Sequence, residues 1–258
     1  MRITYRATGN KAYWLNRWEQ IPVDNPMDNL DIYPLKYSEM IIKNKDALIL
    51  EAGCGNGRIL RYYHNRGYRI AGFDFINIAV KKLLKEDPSL DITVDDITQL
   101  KYENCTFDYI LAFGLYHNLE NNLDNAIMET YRVMKEGGIV CASFRADNLQ
   151  NRLNDWLASK KFKDKKNLVF HKMNLKKREF ELLFSKVGFE VMQIFPVENM
   201  PFLYKFRLFR SKSHKVFNEN MARKEGYKLN LIGNIIQQIL MTFFSNQFCN
   251  IYVLIAKK

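Results

Sequence analysis

The stretch Ala47-Leu48-Ile49-Leu50-Glu51-Ala52-Gly53-Cys54-Gly55-Asn56-Gly57-Arg58 constrains this chain more than any other. A short apolar run ending in an acid reads as a buried parallel strand. The alternating glycines read as a tight turn, and Arg58–Asn65 reads as a helix stopped by Gly67. Glycine lets the backbone approach a ligand closely, because no Cβ intervenes. The following helix start offers free N–H groups and a partial positive charge to an anion or carboxylate.

Downstream, strands and helices alternate. Tyr68–Phe73 is a strand closing on Asp74, Ile78–Glu86 a helix ended by Pro88, and Asp91–Val94 a short strand. Phe107–Phe113 is a fourth strand, Leu123–Met134 a helix ended by Gly137-Gly138, and Ile139–Phe144 a fifth strand. This order predicts βαβ units and a parallel sheet covered on both faces. Past residue 145 the pattern loosens. Asp147–Lys161 and Leu175–Val187 read as helices, and Phe189–Phe195 and Gln247–Ala256 as a sixth and seventh strand. Between these two strands, residues 196–246 form a basic, aromatic, partly helical insertion. No repeat or Ser/Gly linker divides the chain, so residues 1–258 are read as one domain.

Composition narrows the class. A chain that is 47% hydrophobic and 26% charged is globular, neither disordered nor low-complexity. The four cysteines (Cys54, Cys105, Cys141, Cys249) form no C-x-x-C pair, which argues against zinc and disulfides and for a reducing compartment. No secretory signal is visible, and no apolar stretch approaches the ~18 residues needed to cross a bilayer. The chain is therefore read as cytoplasmic, with attachment to the inner face of a membrane left open.

The net charge of +11 is unevenly placed: 18 basic against 20 acidic residues in 1–149, and 21 against 8 in 150–258. A C-terminal part at +13 suits anionic partners, or is simply a solvated basic surface.

A glycine turn of this kind binds a dinucleotide, S-adenosylmethionine or nothing. Three acids sharpen the reading. Glu51 ends the first strand directly before the turn. Asp74 ends the second, where an acid can accept hydrogen bonds from both ribose hydroxyls of a nucleoside. Asp96 follows the third, where a carboxylate can meet an exocyclic amine. Asp95 and Asp96 taken singly also fit plain turn capping, and Asp74 a strand-end turn.

LILEAGCGNGRIL, GYRIAGFDF, VDDITQL, FDYILAFGLYHNLEN and YRVMKEGGIV together resemble the ordered motifs of class I S-adenosylmethionine-dependent methyltransferases, of the methyltransferase type 11 kind. The similarity covers residues 45–145, the expected cofactor-binding core. It implies a Rossmann-like, mostly parallel seven-stranded sheet with helices on both faces. The last strand would be antiparallel and lie between strands five and six, with a helical insertion between strands six and seven.

The resemblance places Glu51 beside the methionine amine and Gly53, Cys54, Gly55 and Gly57 along the methionine part. It places Asp74 on the ribose, Phe75 beside the adenine, Asp95 or Asp96 with Ile97 at the adenine edge, and Phe113 and Gly114 on the sulfonium side. Asp108 and Arg132 match positions that hold structure together. His117 is the candidate base, with Tyr116 behind it, and structural packing of His117 is the competing reading. No metal set is visible.

The flanks choose the acceptor. Residues 1–44, with Tyr13, Trp14 and Trp18, are expected to form a lid, or to pack as an ordinary helix. In the insertion, Pro201–Phe217 interleaves aromatic with basic residues, and Leu231–Phe244 carries Leu231, Ile235, Ile239 and Phe243 in one apolar stripe beside Ile232, Ile236, Leu240 and Phe244. A substrate cap packed on the sheet, or a dimer interface, is the favoured reading; contact with an anionic membrane surface is the alternative. The layout is similar to methyltransferases of surface-glycan and lipid-linked sugar pathways. That implies a small-molecule, sugar or lipid-linked saccharide acceptor. No RNA-binding module is recognisable. A non-catalytic cofactor-binding scaffold and a nicotinamide-dependent oxidoreductase remain as other readings, the latter fitting G-x-G-x-G less well than G-x-G-x-x-G.

Overall fold

The computed structural model of the chain describes residues 1–23, 25–160, 167–216, 221–222 and 225–258. Seven strands form the central sheet: β2 (Ile49–Ala52), β3 (Ile70–Asp74), β4 (Asp91–Val94), β5 (Phe107–Ala112), β6 (Met134–Arg145), β8 (Glu190–Val197) and β9 (Ile251–Lys257). Their order across the sheet is β4-β3-β2-β5-β6-β9-β8. β9 runs antiparallel to both β6 and β8, and the β2–β3, β2–β5, β3–β4 and β5–β6 pairs are parallel. The sheet, its mostly parallel pairing and the inserted antiparallel strand match the fold the motifs imply.

Both faces of the sheet are buried, which is why its strands read as continuous apolar runs. On one face Leu50, Phe73, Ile110, Val140 and Phe144 meet α5 (Leu123–Val133) and α7 (Lys177–Ser185) through Ala126, Ile127, Phe180 and Phe184. On the other, Ile49, Ile70, Leu111, Cys141 and Val253 meet α2 (Leu35–Ile41), α3 (Arg58–His64) and α4 (Asn77–Glu86) through Leu35, Leu60, Tyr63, Val80 and Leu83. Neighbours along a strand alternate between the two cores.

Four features depart from the sequence reading. The helix before strand five stops at Val133, and Gly137-Gly138 lies inside β6 rather than ending the helix. Gly138 is required there because a Cβ would come within 2.9 Å of the Lys135 carbonyl. The final strand starts at Ile251, because Gln247 and Phe248 complete α8 (Leu231–Phe248). Residues 1–44, expected to form a lid or an ordinary helix, also hold a strand. β1 (Arg2–Arg6) pairs antiparallel with β7 (Val169–Asn174) in a separate two-stranded ribbon, and only then comes α1 (Asn10–Gln20). Arg2 fixes this ribbon to the main body, donating to Asp147 at 2.7 Å and to Asp155, on α6 (Leu149–Ser159), at 2.8 Å. Lys161 and Phe217, the ends of two expected segments, lie outside the described residues.

Candidate functional site

Strand order reverses between β2 and β5, and at their carboxyl ends a cleft of about 1570 Å³ opens. A topological switch point is where open α/β sheets bind ligands. Glu51, Gly53, Cys54, Gly55, Asp74, Phe75, Asp95, Asp96, Ile97, Phe113, Gly114 and His117 all line this one cleft. The positions singled out from sequence are thus brought together by the fold, with two exceptions.

Gly57 is the first. It takes φ +68° as the residue before α3, and a Cβ there would stand 2.8 Å from Leu83 of α4. It serves helix packing and does not line the cleft. Tyr116 is the second. It is fully buried, and its hydroxyl lies 2.7 Å from that of Thr130. The ring belongs to the core under α5, so Tyr116 is removed as a catalytic candidate.

The glycine turn is held by the acids around it. Glu51 Oε2 accepts from the Leu60 N–H at 2.7 Å, closing the first turn of α3. Burial pushes the Glu51 carboxyl up to about 8, against the opposing pull of that hydrogen bond and of Arg58, with the Asp74 charge adding to the rise. Asp74 Oδ2 accepts from Gly55 N–H at 2.9 Å and Oδ1 from Ile76 N–H at 2.8 Å. Burial still raises its pKa. Each oxygen keeps a second acceptor site. The Cys54 thiol, buried beside both acids, is pushed up and stays a neutral wall.

The two consecutive aspartates are distinguishable. Asp95 spends both oxygens on backbone, accepting from Asp96 N–H at 3.0 Å and Lys101 N–H at 3.1 Å. Asp96 uses Oδ1 for both Thr98 groups at 2.9 Å, leaving Oδ2 without a hydrogen bond among the described residues. Asp96 is therefore the one of the two with a carboxylate oxygen free of hydrogen bonds among the described residues. Phe75 is half exposed, with Lys11 Nζ 5.2 Å from its ring centre.

α1 forms one wall. Trp14 and Trp18 stack at 5.4 Å, and Trp18 lies against the turn so closely that a Cβ on Gly55 would come within 2.8 Å of its ring. With φ at +54° as well, Gly55 admits no side chain.

The opposite half of the cleft holds residues that sequence reasoning missed. Tyr33 and Ser143 pair their hydroxyls at 2.8 Å, and Ser143 Oγ accepts from Gly114 N–H at 2.9 Å. Two strand positions further along, Arg145 lines the cleft with an Nε that has no hydrogen-bond partner. Its guanidinium stands 3.7 Å from Asp155, an acid it shares with Arg2. Glu198, just past β8, accepts from Gln237 of α8 at 2.6 Å, and burial pushes its carboxyl up to about 7. None lies in one of the five motifs. His117 sits between the two halves. Burial, then Arg145, Lys172 and His171, hold it down to about 3, and its Nδ1 has no partner.

Asp108 and Arg132 are structural, as the resemblance implies. Asp108 accepts from Leu48 N–H at 2.8 Å and from Lys135, while Arg132 binds Glu129 and the Leu100 and Tyr102 carbonyls. Among the described residues no group of three or more His, Cys, Asp or Glu is placed to hold a metal.

Residues 50–142 match the family model described as "Methyltransferase domain". Those residues carry a methyltransferase domain. That domain is similar over 113 residues, at 26% identity, to a malonyl-[acyl-carrier protein] O-methyltransferase of Enterobacter lignolyticus, covering 43% of this chain and 45% of that protein. It is 33% identical over 96 residues to a tRNA (carboxymethyluridine(34)-5-O)-methyltransferase of Arabidopsis thaliana, covering 36% and 23%. The chain thus spans less than half the length of these relatives. In fold, the whole molecule resembles a SAM-dependent methyltransferase from Archaeoglobus fulgidus (TM-score 0.59, 17% identity, 87% of this chain and 91% of that one). A second fold likeness is an S-adenosylmethionine-dependent methyltransferase from Mesorhizobium loti (TM-score 0.57, 14% identity, 89% and 100%).

The donor set of the methyltransferase domain fits S-adenosylmethionine. Three acids of the cleft, buried Glu51 and Asp74 and partly buried Asp96, would hold its amine, ribose diol and adenine amine, as the resemblance implies.

Proposed function

We propose that the chain moves the methyl group of S-adenosylmethionine to an acceptor bound in the half of the cleft bounded by Tyr33, Arg145, Glu198 and α8. The observation that carries this is the size and asymmetry of the cleft. Its 1570 Å³ exceeds the roughly 300–1,000 Å³ of a single ligand site, and the nucleoside-binding acids occupy only one end. A scaffold that merely held the cofactor would not need the second half.

When bound, S-adenosylmethionine supplies a sulfonium methyl that is already electrophilic. The chain's residues do the rest. Trp14 and Trp18 exclude water above the glycine turn, and the Tyr33–Ser143–Gly114 chain of hydrogen bonds stiffens the floor between the two halves. Holding two reactants in line supplies a large share of such an acceleration. A hydroxyl acceptor must also lose a proton. His117, held far below neutrality, is a weak base; Glu198, near 7, is the group on the acceptor side suited to take that proton at neutral pH.

One cation with an unmet N–H stands at the acceptor end. Arg145 has that N–H, and partly buried Lys172, pushed down to about 7 by burial and by Arg145, lies within its field. This favours an acceptor that carries a phosphate or carboxylate, such as a sugar acid or a phosphate-linked, lipid-borne saccharide. The matched relatives act on an acyl-carrier protein and a tRNA, and the shared stretch is the cofactor half, so neither acceptor is carried over.

Calorimetric titration of S-adenosylmethionine, S-adenosylhomocysteine and NADH tests the first step. The first two should bind, and Asp74→Ala should weaken them at least about a hundredfold, the loss of two hydrogen bonds to a charged group. NADH binding alone overturns the reading. Methyl-labelled cofactor incubated with a cell extract should then yield a labelled anionic product. Tight cofactor binding with no transfer to any fraction would leave the scaffold reading standing instead.

A further inference from the structure

α8 is built inside out for a water-exposed helix. Its eighteen residues include no Asp, Glu, Lys or Arg. The side turned to the protein is partly polar: Gln237 is buried on Glu198 and Met241 packs on the core, while exposed Asn234 and Gln238 line the cleft. The side turned to solvent is apolar: Leu231 (76% exposed), Ile232, Ile235, Ile236, Ile239, Phe243 (73%) and Phe244. The apolar stripe evident in the sequence is present, but it does not pack on the sheet.

Two neighbours extend this surface. At the start of α8, Asn230 accepts no solvent gap to the preceding turn: its N–H donates to Phe209 O at 2.8 Å and its Nδ2 to Leu208 O at 2.7 Å. That turn exposes Phe206 and Leu208 (79%). At the far end, Asn148 Nδ2 donates to Asn246 O at 3.0 Å and Leu149 N–H to Gln247 Oε1 at 3.3 Å. These bonds bring alongside α6, with Leu149, Leu153, Trp156 and Leu157 exposed. The ring series Phe206–Phe202–Phe248, with centres 5.6 and 5.8 Å apart, joins the turn to the end of α8. Two helices and a turn thus present one apolar surface, well beyond the scattered single exposures of an ordinary monomer.

Its rim is basic. Lys205 and Arg207 alternate with Phe206 and Leu208, and Lys160 Nζ stands 3.6 Å over the Trp156 ring centre. We propose that the outer face of α8, with α6 and the residue 205–208 turn, docks on an anionic lipid bilayer, the apolar side chains entering the headgroup boundary and the basic rim meeting lipid phosphates. Charge decides the occupant. The surrounding part of the chain carries +13, so a second copy seated face to face would bring like charges together. No helix among the described residues is long and apolar enough to cross a membrane, so the helix lies on the surface. Because the inner face of α8 walls the acceptor half, this docking sets the cleft beside the lipid.

Flotation of the full chain with phosphatidylcholine vesicles, with and without about 30% phosphatidylglycerol, tests the docking. Association should require the anionic lipid and weaken in about 0.5 M salt. The exposed-face triple variant Ile235→Gln, Ile239→Gln, Phe243→Gln should lose at least tenfold in partitioning while keeping its melting temperature and S-adenosylhomocysteine affinity. Lys205→Gln with Arg207→Gln should lose about twenty-five-fold, a factor of about five per basic contact. Two results overturn the proposal: no association of the native chain with anionic vesicles at low salt, or a native dimer in ultracentrifugation that the triple variant converts to monomer while vesicles are ignored.

Discussion

Glu51→Gln separates what the fold asks of this side chain from what the cofactor asks. In the free protein, burial holds the carboxyl at about 8, so about nine-tenths of it is protonated at pH 7. The cofactor's ammonium group favours the ionised form, so binding at pH 7 should release nearly one proton. Titration calorimetry in phosphate and in Tris should give enthalpies that differ by nearly one buffer-ionisation enthalpy, and Glu51→Gln should abolish the difference. The variant should also bind about 10- to 150-fold more weakly, the loss of one charge-assisted hydrogen bond of about 1.5–3 kcal/mol.

Stability should move the other way. A carboxyl whose folded pKa is raised from 4.5 to about 8 contributes fully below pH 4.5 and loses that contribution as pH rises through 8, at most about 5 kcal/mol. About 3 kcal/mol of this is already gone at pH 7. Gln keeps an oxygen for the Leu60 N–H and has no charge to bury, so the variant should be more stable than the native chain at pH 8 and should lose that advantage toward pH 4.5. Equal heats in the two buffers for the native chain would show Glu51 ionised in the free state, and the reasoning from burial would fail.

Tyr116→Phe removes a buried hydroxyl paired with Thr130 and should cost about 1 kcal/mol in denaturant unfolding, with methyl transfer unchanged. Glu198→Gln should lower kcat and erase a pH–rate inflection near 7, whereas His117→Asn should leave that inflection in place; the reverse pattern would make His117 the base. The depressed His117 pKa also has a stability consequence. Its contribution is complete above 6.5 and is lost as pH falls through about 3, so His117→Asn should flatten the acid limb of the stability curve.

What the sequence reveals is what local chemistry fixes. The β2–turn–α3 unit, Asp74 at a strand end and the five parallel strands depend on neighbours a few residues away, and all are present, though β6 begins five residues before the expected Ile139. Gly57 and Tyr116 mislead because motif position does not say which way a residue faces: Gly57 turns to Leu83 on another helix, Tyr116 to Thr130. Arg145, Ser143, Tyr33 and Glu198 become a site only when elements far apart in sequence converge. The same limit hides β1 and β7, whose pairing joins Arg2 to Asn174, and it hides the outward turn of α8, since a stripe has the same period whichever side it presents.

The place of β9 bears on synthesis. β8 reaches the rest of the sheet only through β9, which hydrogen-bonds to β6 on one side and β8 on the other. Until residue 257 has cleared the ribosome, β6 presents a bare apolar edge and β8 has no partner, a state open to aggregation. A nascent chain stalled in α8 would lack the Glu198–Gln237 wall of its cleft and should depend on chaperones.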